Sequence, residues 1–339
     1  MIKSAIDKLS AGIDLTEGEM MSIMEDIMDG KASDAQIGAF LTALKIKGET
    51  SDEIFAGASV MKKKALEVNM DKIYSIDTCG TGGDARNTFN VSTAVMFVAA
   101  AAGVTVVKHG NRSVSSKCGS ADVLEKLGVN INLSPEDVRR CIDELNVGFM
   151  FAPRFHTAMK NVMKARQELG MRTIFNVLGP LANPASVKGQ LIGVFDKKLM
   201  TLFAQVLRKM GTERALIVHG EDGLDEITLT GSTSVCELRD GQIKSYEIKP
   251  EDFGLESAEL QELVGGDSDH NAQIIRDVLS GENGAKRDMV VLNAGAAIYV
   301  GKKADSLKEG LEIAKDVIDR GLALEKLEKF AELTRGLGE

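Results

Sequence analysis

The first part of the chain carries apolar positions at helical spacing, with no strand-like alternation between them. Thr16-Glu-Gly-Glu19 and Ser33-Asp-Ala-Gln36 match the capping-box pattern that opens a helix, and Ser51 opens a third one. Ile23 and Ile27 lie four positions apart, which puts both on one helix face. The pattern predicts a small helical domain at the start of the chain.

From about residue 72 onward, short apolar runs alternate with helical patterns. The runs that predict strands lie at 72–76, 104–107, 129–133, 147–152, 191–195, 215–218 and 289–292. The helical patterns lie at 93–102, 121–127, about 197–210, 271–280 and 305–333, and Pro135 starts another helix. Asp240-Gly241 predicts one β-hairpin between 234–238 and 243–248. The alternation predicts an α/β fold whose central, mainly parallel sheet is covered by helices on both faces.

Composition narrows the classes of function. The chain has 339 residues, a formal net charge of −9 and 4% aromatic residues, with no Trp. Nucleic-acid binding needs a basic surface and often stacking rings, so the composition argues against it. The four cysteines are scattered without a Cys-x-x-Cys pair, which is typical of reduced thiols in the cytoplasm. The charged N-terminus is unlike a signal peptide, and the longest apolar run, 94–107, is too short to cross a bilayer. We therefore expect a soluble cytoplasmic protein.

The stretch 77–93 holds the first candidate site. Gly80, Gly82 and Gly83 lie between a predicted strand and a predicted helix that Ser92 or Thr93 caps. Glycines at such a junction let the backbone turn tightly and direct N–H groups at an anion. The stretch matches neither the Walker loop nor the dinucleotide-binding fingerprint. A glycine-rich turn before a capped helix remains the alternative explanation.

A second stretch of the same kind follows the next predicted strand, at 108–120. Lys108 and Arg112 lie there among the hydroxyl groups of Ser113, Ser115 and Ser116. In open parallel sheets, ligands bind at the carboxyl ends of the strands. Two such loops in one sheet therefore predict a ligand with more than one phosphate group.

Asp225 and Glu226 follow a predicted strand within an acidic run. Carboxylate oxygens suit Mg²⁺, which takes one or two carboxylates together with substrate phosphate. An acidic surface turn is the alternative, and the residues alone do not decide between the two.

Arg166 lies on the apolar side of a predicted helix. Phe155, Met159, Val162 and Met163 form one helical stripe, and at 100° per residue Arg166 lies within about 20° of Met159. An arginine on an apolar face needs a charge partner, and its planar fork fits a carboxylate. A buried carboxylate of the protein and the carboxylate of a ligand both satisfy that need.

The two loops carry the motifs Gly80-Thr-Gly-Gly-Asp84, Asn90-Val-Ser-Thr93 and Lys108-His-Gly-Asn-Arg-Ser-Val-Ser-Ser116. Further motifs lie at 119–128, at Asn176-Val-Leu-Gly-Pro-Leu-Ala-Asn-Pro184 and at 219–227. Together they resemble, over nearly the whole chain, the motifs of the anthranilate phosphoribosyltransferases of tryptophan biosynthesis. Two positions depart from that pattern: Ala85, where the family often has Gly, and Thr157, where it often has Pro.

The resemblance implies a helical domain at 1–70, completed by helices from about 154–185. Beside it would lie an α/β domain at 71–339 that binds phosphoribosyl diphosphate. The resemblance also implies a homodimer that meets through the helical domains. The implied reaction transfers the 5-phosphoribosyl group from phosphoribosyl diphosphate to the amine of anthranilate and releases diphosphate, with Mg²⁺.

Residue roles follow from the same resemblance. Phosphoribosyl diphosphate would be bound by Gly80, Gly83, Asp84, Thr88, Asn90, Ser92, Thr93, Lys108, Asn111, Ser116 and Ser120. Anthranilate would be bound by Gly80, Asn111 and Arg166, and Mg²⁺ by Ser92, Asp225 and Glu226. No residue would act as a covalent nucleophile. We expect direct displacement at ribose C1, with electrostatic roles for Lys108 and Arg166.

Two other functions compete with this one. Pyrimidine nucleoside phosphorylases share the architecture and a related Lys-x-Gly…Ser-Ser loop. The motif at 176–184 and the Asp225-Glu226 pair favour the phosphoribosyltransferase. The other alternative is a non-catalytic sensor that binds a sugar phosphate.

Overall fold

The computed structural model describes residues 1–70, 73–83, 86–113 and 118–337 of the chain. Its strands are β1 (Ser75–Gly80), β2 (Thr105–Gly110), β3 (Val147–Phe151), β4 (Gly189–Gly193), β5 (Arg214–Gly220), β6 (Thr233–Arg239) and β7 (Gln242–Ile248). Its helices are α1 (Ile2–Ser10), α2 (Glu17–Met28), α3 (Asp34–Lys47), α4 (Ser51–Lys64), α5 (Val91–Ala101), α6 (Ser120–Lys126), α7 (Pro135–Leu145), α8 (Ala152–Phe155), α9 (Lys160–Leu169), α10 (Phe175–Leu178), α11 (Leu199–Lys209), α12 (Ser268–Leu279), α13 (Ala285–Val300), α14 (Leu307–Asp319) and α15 (Leu322–Arg335). Within these ranges, no helix has the length and apolar character needed to span a membrane.

Helices α1 to α4 form a bundle that starts from the predicted capping signals. The Thr16 hydroxyl accepts the N–H of Glu19, and the Ser33 hydroxyl accepts the N–H of Gln36. Each Glu or Gln side chain accepts the N–H of its cap residue in return, so donors that the first turn leaves unpaired are satisfied. From the middle of the chain, α9 packs on α2 and α3, and α10 packs on α4. The apolar core of the bundle continues through α11 onto the sheet. The predicted division into two domains at residue 70 therefore stays a prediction.

The seven strands form one sheet in the order β3-β2-β1-β4-β5-β6-β7. The first five strands of that order pair in parallel, and β5, β6 and β7 pair antiparallel. Asp240 and Gly241 have φ angles of +52° and +75°, which suit the tight turn that the Asp-Gly pair predicted. The predicted fold class, a mainly parallel α/β sheet beside helices, is confirmed.

The position of β1 determines where a ligand can bind. It pairs with β2 on one side and with β4 on the other, so the strand order reverses at β1. Because these strands are parallel, the loops that follow β1, β2 and β4 leave the same edge of the sheet. Open α/β sheets bind their ligands in the crevice that such a reversal creates.

Three predicted elements were wrong. Residues 129–133 form no strand; Asn130 donates its backbone N–H to the Thr334 hydroxyl (3.1 Å) and its amide to the Leu337 carbonyl (2.9 Å). Residues 289–292 lie inside α13, because a short apolar run fits a fully buried helix as well as a buried strand. The predicted helix 305–333 is two helices, α14 and α15, separated at Gly321, where φ is +69°.

Candidate active site

The glycine loop after β1 lies directly against the acidic segment after β5. A methyl group on Gly80 would lie 2.4 Å from Oδ2 of Asp225, so this close approach requires glycine. Gly82 and Gly83 have φ angles of +66° and +79°, the left-handed region that favours glycine. The Gly82 N–H donates to Oδ2 of Asp225 at 2.7 Å. The loop therefore directs one N–H group, that of Gly82, at an anion in this structure, and that anion is a carboxylate of the protein.

Helix α5 begins two residues earlier than the predicted start at Thr93. Val91 is its first residue and Asn90 its N-cap, with no side-chain cap bond, so the predicted cap at Ser92 or Thr93 was wrong. Ser92 and Thr93 fall in the first turn instead. The Thr93 hydroxyl is buried and has no hydrogen-bond partner among the described residues. A helix N-terminus favours anions through its N–H groups and its dipole.

Two buried charged side chains, Lys108 and Asp77, lie beneath both loops. Lys108 is 2% exposed, and its ammonium donates to the Thr78 carbonyl and to the Ser92 hydroxyl (3.1 Å). Asp77 is 1% exposed and accepts hydrogen bonds from the Asn183 amide (2.8 Å) and the His109 N–H (3.4 Å). Burial raises the pKa of the Asp77 carboxyl to about 6, and the nearby charge of Lys108 opposes that rise. No role was predicted for Asp77 from the sequence, although this residue opens the first candidate stretch.

The loop after β2 folds back on the start of α6. The Ser120 hydroxyl donates to the Asn111 carbonyl at 3.3 Å. The Arg112 guanidinium pairs with Asp122 (2.9 Å) and Glu125 (2.5 Å), which hold its pKa above the usual range. Arg112 also lines the cavity described below, and carboxylates of α6 already bind its guanidinium.

One cavity of about 560 Å³ lies between the two loops, the acidic segment and the helices of the bundle. Its volume is in the range of small-molecule sites. Twelve of the fourteen predicted site residues line it: Gly80, Gly83, Thr88, Asn90, Ser92, Thr93, Lys108, Asn111, Ser120, Arg166, Asp225 and Glu226. The other two, Asp84 and Ser116, lie outside the described residues. The structure thus brings the predicted residues together, while the roles assigned to them stay predictions.

Arg166 reaches this cavity from α9. Its guanidinium lies 5.5 Å from the centre of the Phe175 ring, and no carboxylate among the described residues pairs with it. Burial lowers the pKa of this arginine because its charge has left water. The predicted apolar stripe is only partly correct, since Val162 is buried whereas Met163 is 41% exposed. The sequence allowed two partners for Arg166, a carboxylate of the protein or one of a ligand. The described residues provide no protein carboxylate for it.

Several further residues of the cavity wall were not predicted from the sequence. Asn271 of α12 donates its amide to Oδ1 of Asn90 (3.0 Å), and Asn90 donates to the Cys118 carbonyl (3.2 Å). These bonds connect the first loop with the second. Arg172 and Phe195 line the wall beside the glycine loop. Their partners lie far away in sequence, so local patterns gave no signal for them.

Two family models together match most of the chain. The model described as the helical bundle domain of a glycosyl transferase family matches residues 3–65, and that of the family's a/b domain matches 73–324. The fold and its cavity at the strand reversal therefore define a glycosyl transferase of the class that combines a helical bundle with an α/β sheet.

The chain is 60% identical to an anthranilate phosphoribosyltransferase of Alkaliphilus metalliredigens over 337 residues. The aligned residues cover 99% of each of the two chains. The chain belongs to the anthranilate phosphoribosyltransferases. Its structure matches the Thermus thermophilus enzyme with a TM-score of 0.93 at 42% identity, covering 98% of this chain and 99% of that one. It also matches the Saccharomyces cerevisiae enzyme in complex with PRPP and Mg, with a TM-score of 0.91 at 29% identity, over 99% and 98% of the two chains.

Proposed function

We propose that the protein transfers the 5-phosphoribosyl group of phosphoribosyl diphosphate to the amine of anthranilate. One observation carries the proposal. Arg166 is half-buried, has no carboxylate partner in the described ranges, and faces the same cavity as the loops after β1 and β2. A guanidinium that is withdrawn from water without a charge partner costs free energy unless a ligand anion pairs with it.

The sheet side of the cavity suits the phosphate groups. Gly80, Gly83, Ser92 and Thr93 offer N–H and hydroxyl donors at the end of β1 and the start of α5. Lys108 adds a positive charge beneath them, held by the Ser92 hydroxyl. Donors fixed in advance stabilise the charge that develops on diphosphate as it leaves.

The bundle side of the cavity suits anthranilate. The Arg166 fork would pair with the carboxylate of anthranilate, and Phe175 would support the guanidinium through its ring face. Asn111 and Gly80 lie on the cavity wall as well and are the other proposed contacts. Anthranilate would then present its amine toward the ribose.

Mg²⁺ fits the oxygen donors of this cavity. Asp225, Glu226 and the Ser92 hydroxyl lie on its wall, and oxygen is the ligand that Mg²⁺ prefers. No group of three or more His, Cys, Asp or Glu side chains forms a complete metal cage in the described part of the chain. This donor set therefore suits an ion that shares substrate phosphate, and such an ion would neutralise charge on the leaving diphosphate.

The reaction is a direct displacement at ribose C1. The bond between C1 and the diphosphate oxygen breaks, and its electron pair leaves with diphosphate. The lone pair of the anthranilate nitrogen forms the new C1–N bond, and the nitrogen then loses one proton to solvent. The aromatic amine is already neutral at cellular pH, so no strong general base is needed for attack.

A two-substrate comparison tests the proposal. Diphosphate release is measured with phosphoribosyl diphosphate plus anthranilate, and phosphorolysis is measured with thymidine plus phosphate, each across a Mg²⁺ titration. We expect Mg²⁺-dependent turnover in the first reaction and background in the second. Turnover of thymidine would instead support a nucleoside phosphorylase, and binding without any diphosphate release would support a sugar-phosphate sensor.

We also propose that the protein is a homodimer that meets through the helical bundle. Ile46 at the end of α3 is 81% exposed and Ile13 after α1 is 53% exposed, and these two helices pack on each other. A contact between two bundles at this end would remove both side chains from water, which is favourable. Ile46→Glu should convert the dimer to a monomer in sedimentation velocity, whereas Lys244→Glu on β7 should not; a monomeric wild type contradicts the proposal.

The proposed location is the cytoplasm. All four cysteines are free and buried, as expected of a protein in a reducing compartment. Fractionation of cells that express the chain tests this directly.

A further inference from the structure

Arg172 connects the bundle with the glycine loop, although no sequence motif assigned it a role. It lies between α9, which ends in a left-handed Gly170 (φ +59°), and α10. Its backbone carbonyl accepts a hydrogen bond from the Lys45 ammonium of α3 at 2.7 Å. The backbone of Arg172 is therefore tied to the helical bundle.

The side chain of Arg172 extends to the other wall of the cavity. Its guanidinium donates to the Gly83 carbonyl and stacks on the Phe195 ring, 4.1 Å from the ring centre. A methyl group on Gly83 would lie 2.8 Å from Nη2 of Arg172, so the guanidinium packs on bare backbone. No carboxylate within the described ranges pairs with this guanidinium.

Phe195 is itself joined to the same loop. Its N–H donates to the Thr81 hydroxyl at 3.0 Å, and the Thr81 N–H donates to the Gly193 carbonyl at 2.9 Å. The ring of Phe195 thus supports the guanidinium beside the loop, and stacking of this kind suits arginine better than lysine.

A loop that binds phosphate through N–H groups must turn its carbonyl oxygens away from the anion, because both carry negative charge. The hydrogen bond from Arg172 holds the Gly83 carbonyl on the guanidinium, so this carbonyl is not free to turn toward a bound phosphate. We propose that Arg172 is a positioning residue, which orients the Gly80–Gly83 loop for phosphoribosyl diphosphate through its bond to Gly83 and its stack on Phe195. The inference rests on the proposed function.

Steady-state kinetics of Arg172→Lys, Arg172→Ala and Phe195→Leu test the inference. We expect each to raise the KM for phosphoribosyl diphosphate, by about tenfold or more for Arg172→Ala, since bonds to charged groups are the stronger ones. The KM for anthranilate should change less than threefold. The matched control is Arg154→Ala, at an exposed arginine that does not line the cavity, and it should leave both KM values unchanged.

Hydrogen exchange of the unliganded protein gives a second measurement that does not depend on turnover. Arg172→Ala should speed amide exchange in a peptide covering 75–83, and added guanidinium ion should restore both the slower exchange and the lower KM. Melting temperatures close to that of the wild type establish that the variants fold.

Three outcomes overturn the inference. The first is an unchanged KM for phosphoribosyl diphosphate in Arg172→Ala, and the second is an equal rise in the KM of both substrates. The third is a normal KM for phosphoribosyl diphosphate in Phe195→Leu, which would indicate that Arg172 contacts the substrate directly. If the wild type releases no diphosphate, the proposed function fails; if the wild type turns over and these variants behave as it does, only the inference fails.

Discussion

Replacing Arg166 by alanine separates the two substrates most sharply. The guanidinium lies half-buried on the cavity wall, contacts the Phe175 ring, and has no carboxylate partner in the described part of the chain. If anthranilate supplies the missing carboxylate, the variant leaves that carboxylate without its cation. Removing one partner of a buried charged pair costs about 2–5 kcal/mol.

The lower part of that range applies here, because the cavity is open and water can solvate the exposed carboxylate. A cost of about 2–3 kcal/mol corresponds to a loss of roughly 30- to 150-fold in kcat/KM for anthranilate. The KM for phosphoribosyl diphosphate should change less than threefold. Initial rates of diphosphate release, with each substrate varied in turn at saturating levels of the other, measure both effects.

Anthranilamide provides the control on the substrate side, since it keeps the amine but has no carboxylate. Arg166→Ala should lose little activity with anthranilamide, so the loss with anthranilate is assigned to one ion pair rather than to misfolding. Arg208→Ala, an exposed arginine on α11, should behave as wild type. Equal losses with anthranilate and anthranilamide, or an equal effect on phosphoribosyl diphosphate, would refute the assignment.

Three further predictions concern stability, pH and metal. Lys47→Ala leaves Glu53, which is 0% exposed, as a buried charge without its cation, so urea unfolding should show a loss of about 3 kcal/mol. The exposed Lys63→Ala should cost clearly less, and equal losses would contradict the burial argument. Burial lowers the pKa of His156 to about 4, below its usual 6.5, so the contribution of this residue to stability is present above pH 6.5 and is lost as pH falls toward 4. His156→Phe should flatten the curve of unfolding free energy against pH in this range, and an unchanged slope would contradict the prediction. Asp225→Asn should shift the Mg²⁺ titration of turnover to higher concentration, whereas an unchanged titration would exclude Asp225 as a metal ligand.

Local signals accounted for the elements whose cause is local. The capping boxes of α2 and α3 and the Asp-Gly hairpin between β6 and β7 form where the sequence predicted them, because the atoms involved lie within a few residues of one another. The strand predicted at 289–292 failed for the opposite reason. All four residues are buried inside α13, so no polar face marks the helical period.

The site divides in the same way. Twelve of the predicted residues line one cavity. Those in the loops meet there because the strand ends of a parallel sheet lie at one edge, whatever their distance along the chain. The protein's own charge pairs were not predictable: no local pattern indicated that Arg112 would pair with Asp122 and Glu125 of α6.

By itself, the sequence determined the helical start, the α/β alternation and the loops that carry the phosphate-type motifs, since each depends on neighbours in the chain. The tertiary structure alone decided which side chains meet across the cavity. Arg172 reaches the Gly83 carbonyl from 89 positions away, and Asp225 reaches the Gly82 N–H from 143 positions away. Contacts of that separation arise from how helices and strands pack, and no periodicity or capping rule encodes them.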